Sequence, residues 1–142
     1  MHKGLRYIFI ALVGLVAMAC NTTPRTVEVH DKAGSVWSST EEFRYTNTDS
    51  LKRRDIAIVV RYDSGYDADS IALRVMTIAP DSMLLDEPFT LRVPRLRDMR
   101  PAEQRFLYRS NVVLKHKGDY LFRLTPEQPV EGISSVGITI DE

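Results

Sequence analysis

The chain has 142 residues, of which 44% are hydrophobic, and its 19 Lys and Arg residues balance 19 Asp and Glu residues. This balance excludes a general basic footprint for nucleic acid or anionic lipid. The length suits one domain with its own hydrophobic core.

The first 19 residues differ from the rest of the chain. Lys3 and Arg6 form a short positive region, and residues 7–19 then carry no charge. A helix needs about 20 apolar residues to span a bilayer, so this shorter run is typical of an export signal peptide. An uncleaved membrane anchor is the less favoured interpretation because the run is short.

Cys20 is the one cysteine of the chain and directly follows this run. The small residues Ala17 and Ala19 precede it as in the lipobox of bacterial lipoproteins, although such boxes more often have Leu in place of Ala17. A plain signal peptide would leave Cys20 as a lone thiol in an oxidising compartment, which is unusual. The sequence therefore predicts a lipoprotein signal peptide over residues 1–19 and acylation of Cys20 at the mature N-terminus.

Residues 20–25 are short, polar and interrupted by Pro24, so we expect a lipidated cysteine and a tether there. Loss of residues 1–19 removes Lys3 and Arg6, which leaves 17 basic and 19 acidic residues and a net charge of −2. Two or three acyl chains would anchor the protein stably, because each buried methylene contributes about 0.8 kcal/mol. A membrane, reached through the N-terminal lipid, is therefore a predicted partner.

Period-two alternation dominates the rest of the chain, and it is typical of strands with one buried face. In residues 55–63, for example, Ile56 and Ile58 point one way while Ala57 and Val59 point the other. Similar runs occupy residues 70–79, 89–93, 120–124 and 136–140, with weaker candidates at 26–30, 42–47 and 108–114. Turn residues separate them. We predict an all-β fold, a single antiparallel β-sandwich of immunoglobulin-like or jelly-roll-like type, with about seven to eight strands over residues 26–142.

Two short features need separate interpretations. Residues 101–108 begin with Pro101, in a position typical of a first helical turn, and contain good helix formers, so we predict one helical turn there. Gly132 precedes the last predicted strand and Gly137 lies inside it. We expect a positive φ at Gly132, and a bulge or a close backbone approach at Gly137.

The C-terminal block carries the most specific pattern in the sequence. Residues 118–122 read G-x-Y-x-F and residues 132–137 read G-I-x-x-V-G, while Trp37 precedes a strand that contains Phe43, and residues 58–62 are followed by Tyr66. With the predicted lipoprotein signal, these features resemble the gliding motility lipoprotein GldH family of Bacteroidetes-type bacteria over most of the chain. The resemblance implies a cell-envelope lipoprotein associated with gliding motility and its secretion machinery. It brings no catalytic residues and no cofactor.

The same resemblance bears on location. Asn21 is not the Asp that retains lipoproteins in the inner membrane of other Gram-negative bacteria, and residues 21–24 lack the acidic run that resembles a surface-export signal in this group. We therefore expect lipid anchoring in the outer membrane, facing the periplasm, with envelope proteins as partners.

Three carboxylates form one candidate site, because Asp63, Asp67 and Asp69 lie in one predicted loop and Ca²⁺ favours clustered oxygen ligands. Their spacing departs from the EF-hand loop and lacks its closing Glu. Asp is also common in hairpin loops, so a metal site is the weaker interpretation.

A basic stretch forms the other candidate and contains Arg92, Arg95, Arg97, Arg100, Arg105 and Arg109. Arginine is favoured for bidentate contacts to carboxylates and phosphates, so the first four of these residues are candidates for docking an acidic partner or lipid headgroups. The alternative is a solvated strand edge, where charged side chains discourage pairing with other strands.

Catalytic constellations are not recognisable in the sequence. His30 and His116 remain after removal of the signal peptide, without a nucleophile motif or an H-x-x-x-H pair. Strand aromatics are usually core residues, although they also suit a sugar-stacking platform; they are Trp37, Phe43, Tyr45, Tyr62 and Tyr66. The leading hypothesis is a non-enzymatic lipoprotein that acts through protein–protein contacts. The alternative is a lipid-anchored module that binds calcium or a glycan.

Overall fold

The computed structural model describes residues 25–142. The predicted signal peptide, Cys20 and most of the predicted tether lie outside the described residues. Within the described part, the chain forms ten strands and one short 3-10 turn at Ala33–Ser35. In chain order the strands are β1 (Arg25–Asp31), β2 (Val36–Trp37), β3 (Glu41–Asn47), β4 (Arg53–Tyr62), β5 (Ile71–Ile78), β6 (Leu84–Leu91), β7 (Ala102–Val113), β8 (Gly118–Pro126), β9 (Val130–Glu131) and β10 (Ile133–Asp141).

Eight of these strands form two four-stranded antiparallel sheets. The first sheet has the order β1-β10-β4-β7 and the second sheet has the order β3-β8-β5-β6, while β2 and β9 form a separate two-stranded ladder. The sheets pack face to face: His30 of β1 stacks on Phe43 of β3, and Phe89 of β6 meets Tyr108 of β7 edge to face. The predicted antiparallel β-sandwich is confirmed, with two very short strands beyond the expected set.

The core lies between the two sheets, on the side chains that the alternation places inward. Ile56, Ile58 and Val60 of β4 are at most 3% exposed. They pack in one cluster with the inward residues of neighbouring strands, among them Phe43, Ile71, Leu73, Val75, Leu91, Phe122, Leu124, Val136, Ile138 and Ile140. Each such side chain contributes about 1.5–3 kcal/mol when it is fully buried, so this interior holds the two sheets together.

Residues 102–113 form strand β7, and the predicted helical turn over residues 101–108 is wrong. β7 is hydrogen-bonded to β4, with Phe106 opposite Ile58. Helix preference is a weak term, and here the burial of Tyr108 and the ladder with β4 outweigh it. Pro101 immediately precedes the strand, where its missing N–H removes no ladder bond.

Two glycines show the backbone features that the sequence predicts. Gly132 has a φ of +80°, and a Cβ added there would lie 2.0 Å from the backbone nitrogen of Tyr66. A Cβ added to Gly137 would lie 2.7 Å from the carbonyl oxygen of Glu28 and 2.8 Å from Val29 Cγ2. The turn at position 132 therefore requires glycine, because any other residue would clash with Tyr66. Gly137 allows β1 to approach β10 closely.

The loops gather at the two ends of the sandwich. At one end the chain enters β1 and leaves β10, because Arg25 pairs with Asp141. Loops 48–52, 79–83 and 114–117 lie at this end too. The Asn47 amide binds the carbonyl oxygens of Leu114 and His116, and His116 Nε2 lies 3.2 Å from Asp81. This is named the proximal end. The distal end holds loops 63–70, 92–101 and 127–129.

Candidate functional site

The acidic loop at the distal end does not bring its three carboxylates together. The Asp63 carboxylate accepts the backbone N–H of Gly65 at 2.8 Å and so closes the turn after β4. Asp67 and Asp69 face Arg95 instead, at N–O distances of 3.7 and 3.3 Å. Within residues 25–142, no group of three or more His, Cys, Asp or Glu side chains is placed to hold a metal ion. The calcium candidate is therefore not assembled in this structure.

The arginine candidates lie on the loop between β6 and β7, and so at the distal end rather than on a strand edge. Arg92, Arg95, Arg97 and Arg100 are all exposed. Arg95 is engaged by the acidic loop. The other three make no ion pair with another residue in the described part of the chain, and their charges are open to solvent at the end furthest from the chain's entry into the domain.

The aromatic residues proposed for a sugar platform are core residues. Trp37, Phe43, Tyr45 and Tyr62 are at most 9% exposed. The Tyr62 hydroxyl donates to the Pro94 carbonyl oxygen at 2.7 Å. These side chains fill the interior, so they do not offer faces on which a sugar ring could stack.

Tyr66 borders a cleft of about 430 Å³ at the distal end. The cleft lies between the β4–β5 loop and residues 127–131, and Asp67, Glu127 and Glu131 make part of its wall acidic. The buried Tyr66 hydroxyl has no hydrogen-bond partner among the described residues. Burial first, and then the nearby charge of Asp69, raise the pKa of Tyr66, so the phenol stays neutral near pH 7.

The two described histidines lie far apart and contact carboxylates. His30 lies between Glu41 and Glu28, at N–O distances of 2.8 and 3.1 Å. His116 lies beside Asp81 at the proximal end. These contacts hold the two imidazole rings at the surface of the sandwich in unrelated places.

One charged cluster joins the two sheets where β6 faces β7. Glu87 of β6 binds both the Arg109 guanidinium and the Tyr108 hydroxyl of β7. The hydrogen bond from Arg109, and then that from Tyr108, lower the pKa of Glu87. Burial raises the pKa of Tyr108, and the bond to Glu87 raises the pKa of Arg109. The charges of this cluster are therefore fixed across the physiological range, as suits a structural clamp.

The outer face of the first sheet is apolar at its centre. Two rows of paired residues cross it from β1 to β7, namely Val27, Thr139, Ala57 and Leu107, and beside them Val29, Gly137, Val59 and Arg105. The seven residues other than Arg105 are named the apolar face. Val27, Val29 and Leu107 are 53%, 47% and 48% exposed, which places three large aliphatic side chains in solvent on one rigid surface.

Charged pairs lie on and beside the apolar face. Arg105 of β7 reaches Asp141 of β10 at an N–O distance of 2.7 Å, and the strand register shows that its side chain crosses the row that contains Ala57 and Thr139. Arg61 lies 3.9 Å from Glu103 at one end of the face. The floor also holds one unpaired polar atom, because the buried Thr139 hydroxyl has no hydrogen-bond partner among the described residues. Ala57, Val59 and Thr139 are at most 8% exposed, so the aliphatic side chains open to a partner are those of Val27, Val29 and Leu107 on the two outer strands. Exposed aliphatic side chains beside ion pairs suit a protein-contact surface.

Strand β1 creates this face by turning its valines outward. Glu28 and His30 of β1 point toward the second sheet, where the Glu28 carboxylate accepts the backbone N–H of Arg44 and His30 binds Glu41. Val27 and Val29 are therefore left on the outer side. An antiparallel sheet with one solvated face usually places its apolar set inward. The alternation is visible in the sequence, but only the pairing of β1 with β10 decides which set faces out.

The outer face of the second sheet has a different composition. Ion pairs bridge its neighbouring strands, at N–O distances of 3.1 Å for Arg74 with Asp86, 2.7 Å for Arg123 with Glu42 and 3.6 Å for Arg44 with Asp119. The hydroxyls of Thr40 and Thr125 lie 2.7 Å apart on the same side. This surface suits water rather than an apolar partner.

Comparisons with known proteins add little to this geometry. Among the described residues, no helix has the length and hydrophobicity to cross a membrane. No protein family and no curated protein matches the chain.

Two solved structures are distantly similar. The structure of the infectious bursal disease virus Gx strain gives a TM-score of 0.40 at 9% identity, over 87% of this chain and 33% of that chain. Dimeric latent PorU from Porphyromonas gingivalis gives a TM-score of 0.34 at 9% identity, over 91% of this chain and 14% of that chain. The chain thus spans a third or less of either protein, and neither similarity supports an argument about function.

Proposed function

We propose that this protein is a lipid-anchored cell-envelope lipoprotein that has no catalytic role and works through protein–protein contacts. Cys20, acylated after removal of residues 1–19, holds the sandwich at the periplasmic side of the outer membrane. The proposed partners are envelope proteins of a motility and secretion assembly, which the resemblance to the GldH family implies. Nucleic acid is not among the proposed partners.

The apolar face is the observation that carries the proposal of protein contact. Its three exposed aliphatic side chains lie on paired strands of the first sheet, next to the ion pairs of Arg105 and Arg61. Protein interfaces combine such residues, since apolar burial supplies affinity and charged pairs supply orientation. The face begins on β1, the strand that directly follows the proposed tether, so a partner would engage the domain near its anchored strand.

Acylation of Cys20 is tested by labelling cells with an alkyne analogue of palmitate and by mass spectrometry of the mature protein. The native chain should carry the label, and Cys20→Ala should lose it and remain as the unprocessed precursor. A mature protein with a free Cys20 thiol would contradict the proposed anchor.

Protein contact is tested by placing a photo-crosslinking amino acid at Leu107 in cells. The matched control is Thr90, which is exposed on the outer face of the second sheet. We expect discrete crosslinked products from position 107 and none from position 90, and about a tenfold loss of product from position 107 when Val29 is changed to Glu, since an unpaired charge in an interface is strongly unfavourable. Equal crosslinking from both faces would remove the apolar face as the contact site.

The assembly is tested by deleting the gene and measuring both colony spreading and the secretion of large surface adhesins. Loss of either phenotype, restored by the native gene but not by Cys20→Ala, supports a place in a motility and secretion assembly. Normal spreading together with normal secretion would remove that assignment.

A lipid-anchored ligand-binding module is the second candidate, and the distal cleft favours it. Asp67, Glu127 and Glu131 line this cleft, and carboxylates suit the hydroxyl groups of a glycan. Calcium has less support, because Arg95 engages Asp67 and Asp69. Calorimetric titration with envelope oligosaccharides and with Ca²⁺ tests both ligands. Saturable binding that Glu131→Gln weakens would favour this candidate over protein contact.

A further inference from the structure

Two loop tips at the proximal end hold apolar side chains in solvent. Leu51, between β3 and β4, is 85% exposed, and Met83, between β5 and β6, is 68% exposed. Leu84, the first residue of β6, is 56% exposed beside Met83. These side chains lie outside the core and outside the apolar face, so neither the fold nor the proposed protein contact accounts for them.

Both tips are built in the same way. The Asp49 carboxylate accepts the backbone N–H of Leu51 at 2.9 Å and that of Lys52 at 3.2 Å. The Asp81 carboxylate accepts the backbone N–H of Met83 at 3.1 Å. In each loop an aspartate therefore lies two residues before the apolar residue and fixes the turn. The apolar side chain itself stays exposed to solvent.

The start of β1 shows what this end of the molecule faces. Arg25 lies at the proximal end, five residues after Cys20, with four residues between the two. Five residues span at most about 18 Å even when they are fully extended. If Cys20 carries the lipid, the proximal end is held within that distance of the bilayer, whereas the distal loops lie at the opposite end of the strands.

The charges at the proximal end permit approach to phospholipid headgroups. Glu142 is paired with Lys52 at 2.5 Å and Arg54 at 3.4 Å, while the Asp49 and Asp81 carboxylates accept backbone N–H groups at the tips and keep their charges. Lys115 and Lys117 are exposed and form no ion pair within the described part of the chain. Two free ammonium groups therefore lie on the loop next to the apolar tips, where lipid phosphates would meet them.

We propose that the proximal end is a membrane-contact surface, in which Leu51 and Met83 enter the headgroup region of the bilayer while Lys115 and Lys117 face phosphates. The inference rests on the proposed anchor at Cys20. Membrane association of this kind scales with the apolar area that is buried, and the lipid chain makes it local. In this orientation the strands run away from the bilayer. The apolar face is then open to partners, and the loop of residues 92–101 lies furthest from the lipid.

The single cysteine provides a direct test. The chain from Cys20 onward keeps all ten strands and every described core residue, and its thiol can be coupled to a maleimide phospholipid in vesicles of phosphatidylethanolamine and phosphatidylglycerol. Coupling is chemical, so the result does not depend on whether cells acylate Cys20. A short exposure to chloramine-T, a water-soluble oxidant, is followed by mass spectrometry of Met83 and of Met99, which is 79% exposed on the distal 92–101 loop and serves as the control.

Oxidation of Met83 should slow about fivefold on coupling to vesicles, while Met99 should change by less than about twofold, since methionine oxidation follows exposure. Leu51→Ser replaces the apolar side chain of the other tip and leaves the core unchanged. On vesicles, this variant should return the oxidation rate of Met83 to at least half of its value before coupling, and the melting temperature should not change. Equal rates at Met83 and Met99 would overturn the proposal, as would protection that Leu51→Ser leaves intact. Protection that grows with protein concentration without vesicles would assign the tips to a second copy of the chain instead.

Discussion

The two outer faces of the sandwich have opposite chemistry, although the same alternation of side chains produces both. On the second sheet, the outward residues of neighbouring strands form ion pairs such as Arg74 with Asp86 and Arg123 with Glu42. On the first sheet, the outward centre holds aliphatic side chains around Gly137. Alternation therefore assigns residues to faces, and only the composition of the outward set indicates whether a face meets water or another surface.

The difference also concerns how closely the strands approach. On the second sheet, long charged side chains stand over the strands and reach one another across the ladder. On the first sheet, Gly137 has no side chain, and the backbone of Glu28 and the side chain of Val29 occupy the space where one would lie. The two strands are consequently tightly packed at Gly137, and changes at this position should act on stability more than changes on the charged face.

Gly137→Val should give the largest effect of the changes considered on these faces. The new side chain would meet Glu28 and Val29 of β1, so β1 must shift, and we expect a loss of about 2–3 kcal/mol in the free energy of unfolding. Chemical denaturation measures it. Ala72→Val on the second sheet is the matched control and should leave stability within about 0.5 kcal/mol. Equal effects at both positions would show that the faces do not differ in packing.

Thr139→Val should raise stability by about 1 kcal/mol, because it replaces a buried hydroxyl that has no partner among the described residues with a methyl group of the same shape. Thermal and chemical denaturation test the sign. A loss of similar size would mean that the hydroxyl is hydrogen-bonded in solution, and the floor of the apolar face would then be partly polar.

Glu87→Gln tests how much the cluster of Glu87, Tyr108 and Arg109, which joins the two sheets, contributes to stability. The ion pairs on the outer face of the second sheet are not changed by it. The pKa of Glu87 is lowered below its ordinary value of 4.5 by Arg109 and Tyr108. Its ionised form therefore stabilises the fold above about pH 4.5, and this contribution is lost as pH falls through the lower pKa of the folded state. At pH 7 we expect Glu87→Gln to cost about 1 kcal/mol.

Denaturation of both proteins at falling pH tests the clamp, and the native protein and the variant should converge in stability at a pH below 4.5, once Glu87 is protonated in the folded state. A difference in stability that does not shrink as pH falls would exclude the charge of Glu87 as the cause. Glu103→Gln, in the exposed pair with Arg61, is the control and should show little pH dependence.

Arg123→Ala should have the smallest effect, below about 0.5 kcal/mol, because an exposed ion pair gains little beyond what water already provides. The partner, Glu42, is 45% exposed. The small difference should vanish in about 1 M salt, where charges are screened beyond about 3 Å. A loss of more than about 1.5 kcal/mol in the free energy of unfolding would show that the ion pairs of the charged face stabilise the fold to an extent comparable with the packing of the apolar face.

Much of the fold follows from the sequence, because strands leave a period-two record wherever one face is buried. Each of the eight runs of alternation overlaps one strand of the two sheets, although the runs at 89–93 and 108–114 overlap β6 and β7 only in part. Ile56, Ile58 and Val60 lie on one face, as the alternation predicts, and the structure shows that this face is the core. β2 and β9 have only two residues each, too few to show a period. The helical turn predicted over residues 101–108 was wrong because local helix preference and long-range pairing with β4 favour different structures there. The pairing with β4 determines that this segment is a strand.

The candidate sites were harder to predict, because they depend on contacts between distant segments. The Asp67 and Asp69 carboxylates look available in the sequence, yet folding brings Arg95 to them from another loop. The apolar face was missed because the outward direction of Val27 and Val29 is set by the pairing of β1 with β10. The aromatic residues are core residues, as strand aromatics usually are.

The central place of β10 in the first sheet has a consequence for how the protein is made. β10 is the last strand of the chain, and it lies between β1, the first strand, and β4. Pairing between the two ends of a sequence is slow because the longest loop must close. β1 therefore stays without its ladder partner until β10 has been made, and the apolar face forms only when both strands are present. If the proposed anchor at Cys20 holds, a chain cut short before Ile133 would still carry the anchor but would lack the face that is proposed to contact a partner.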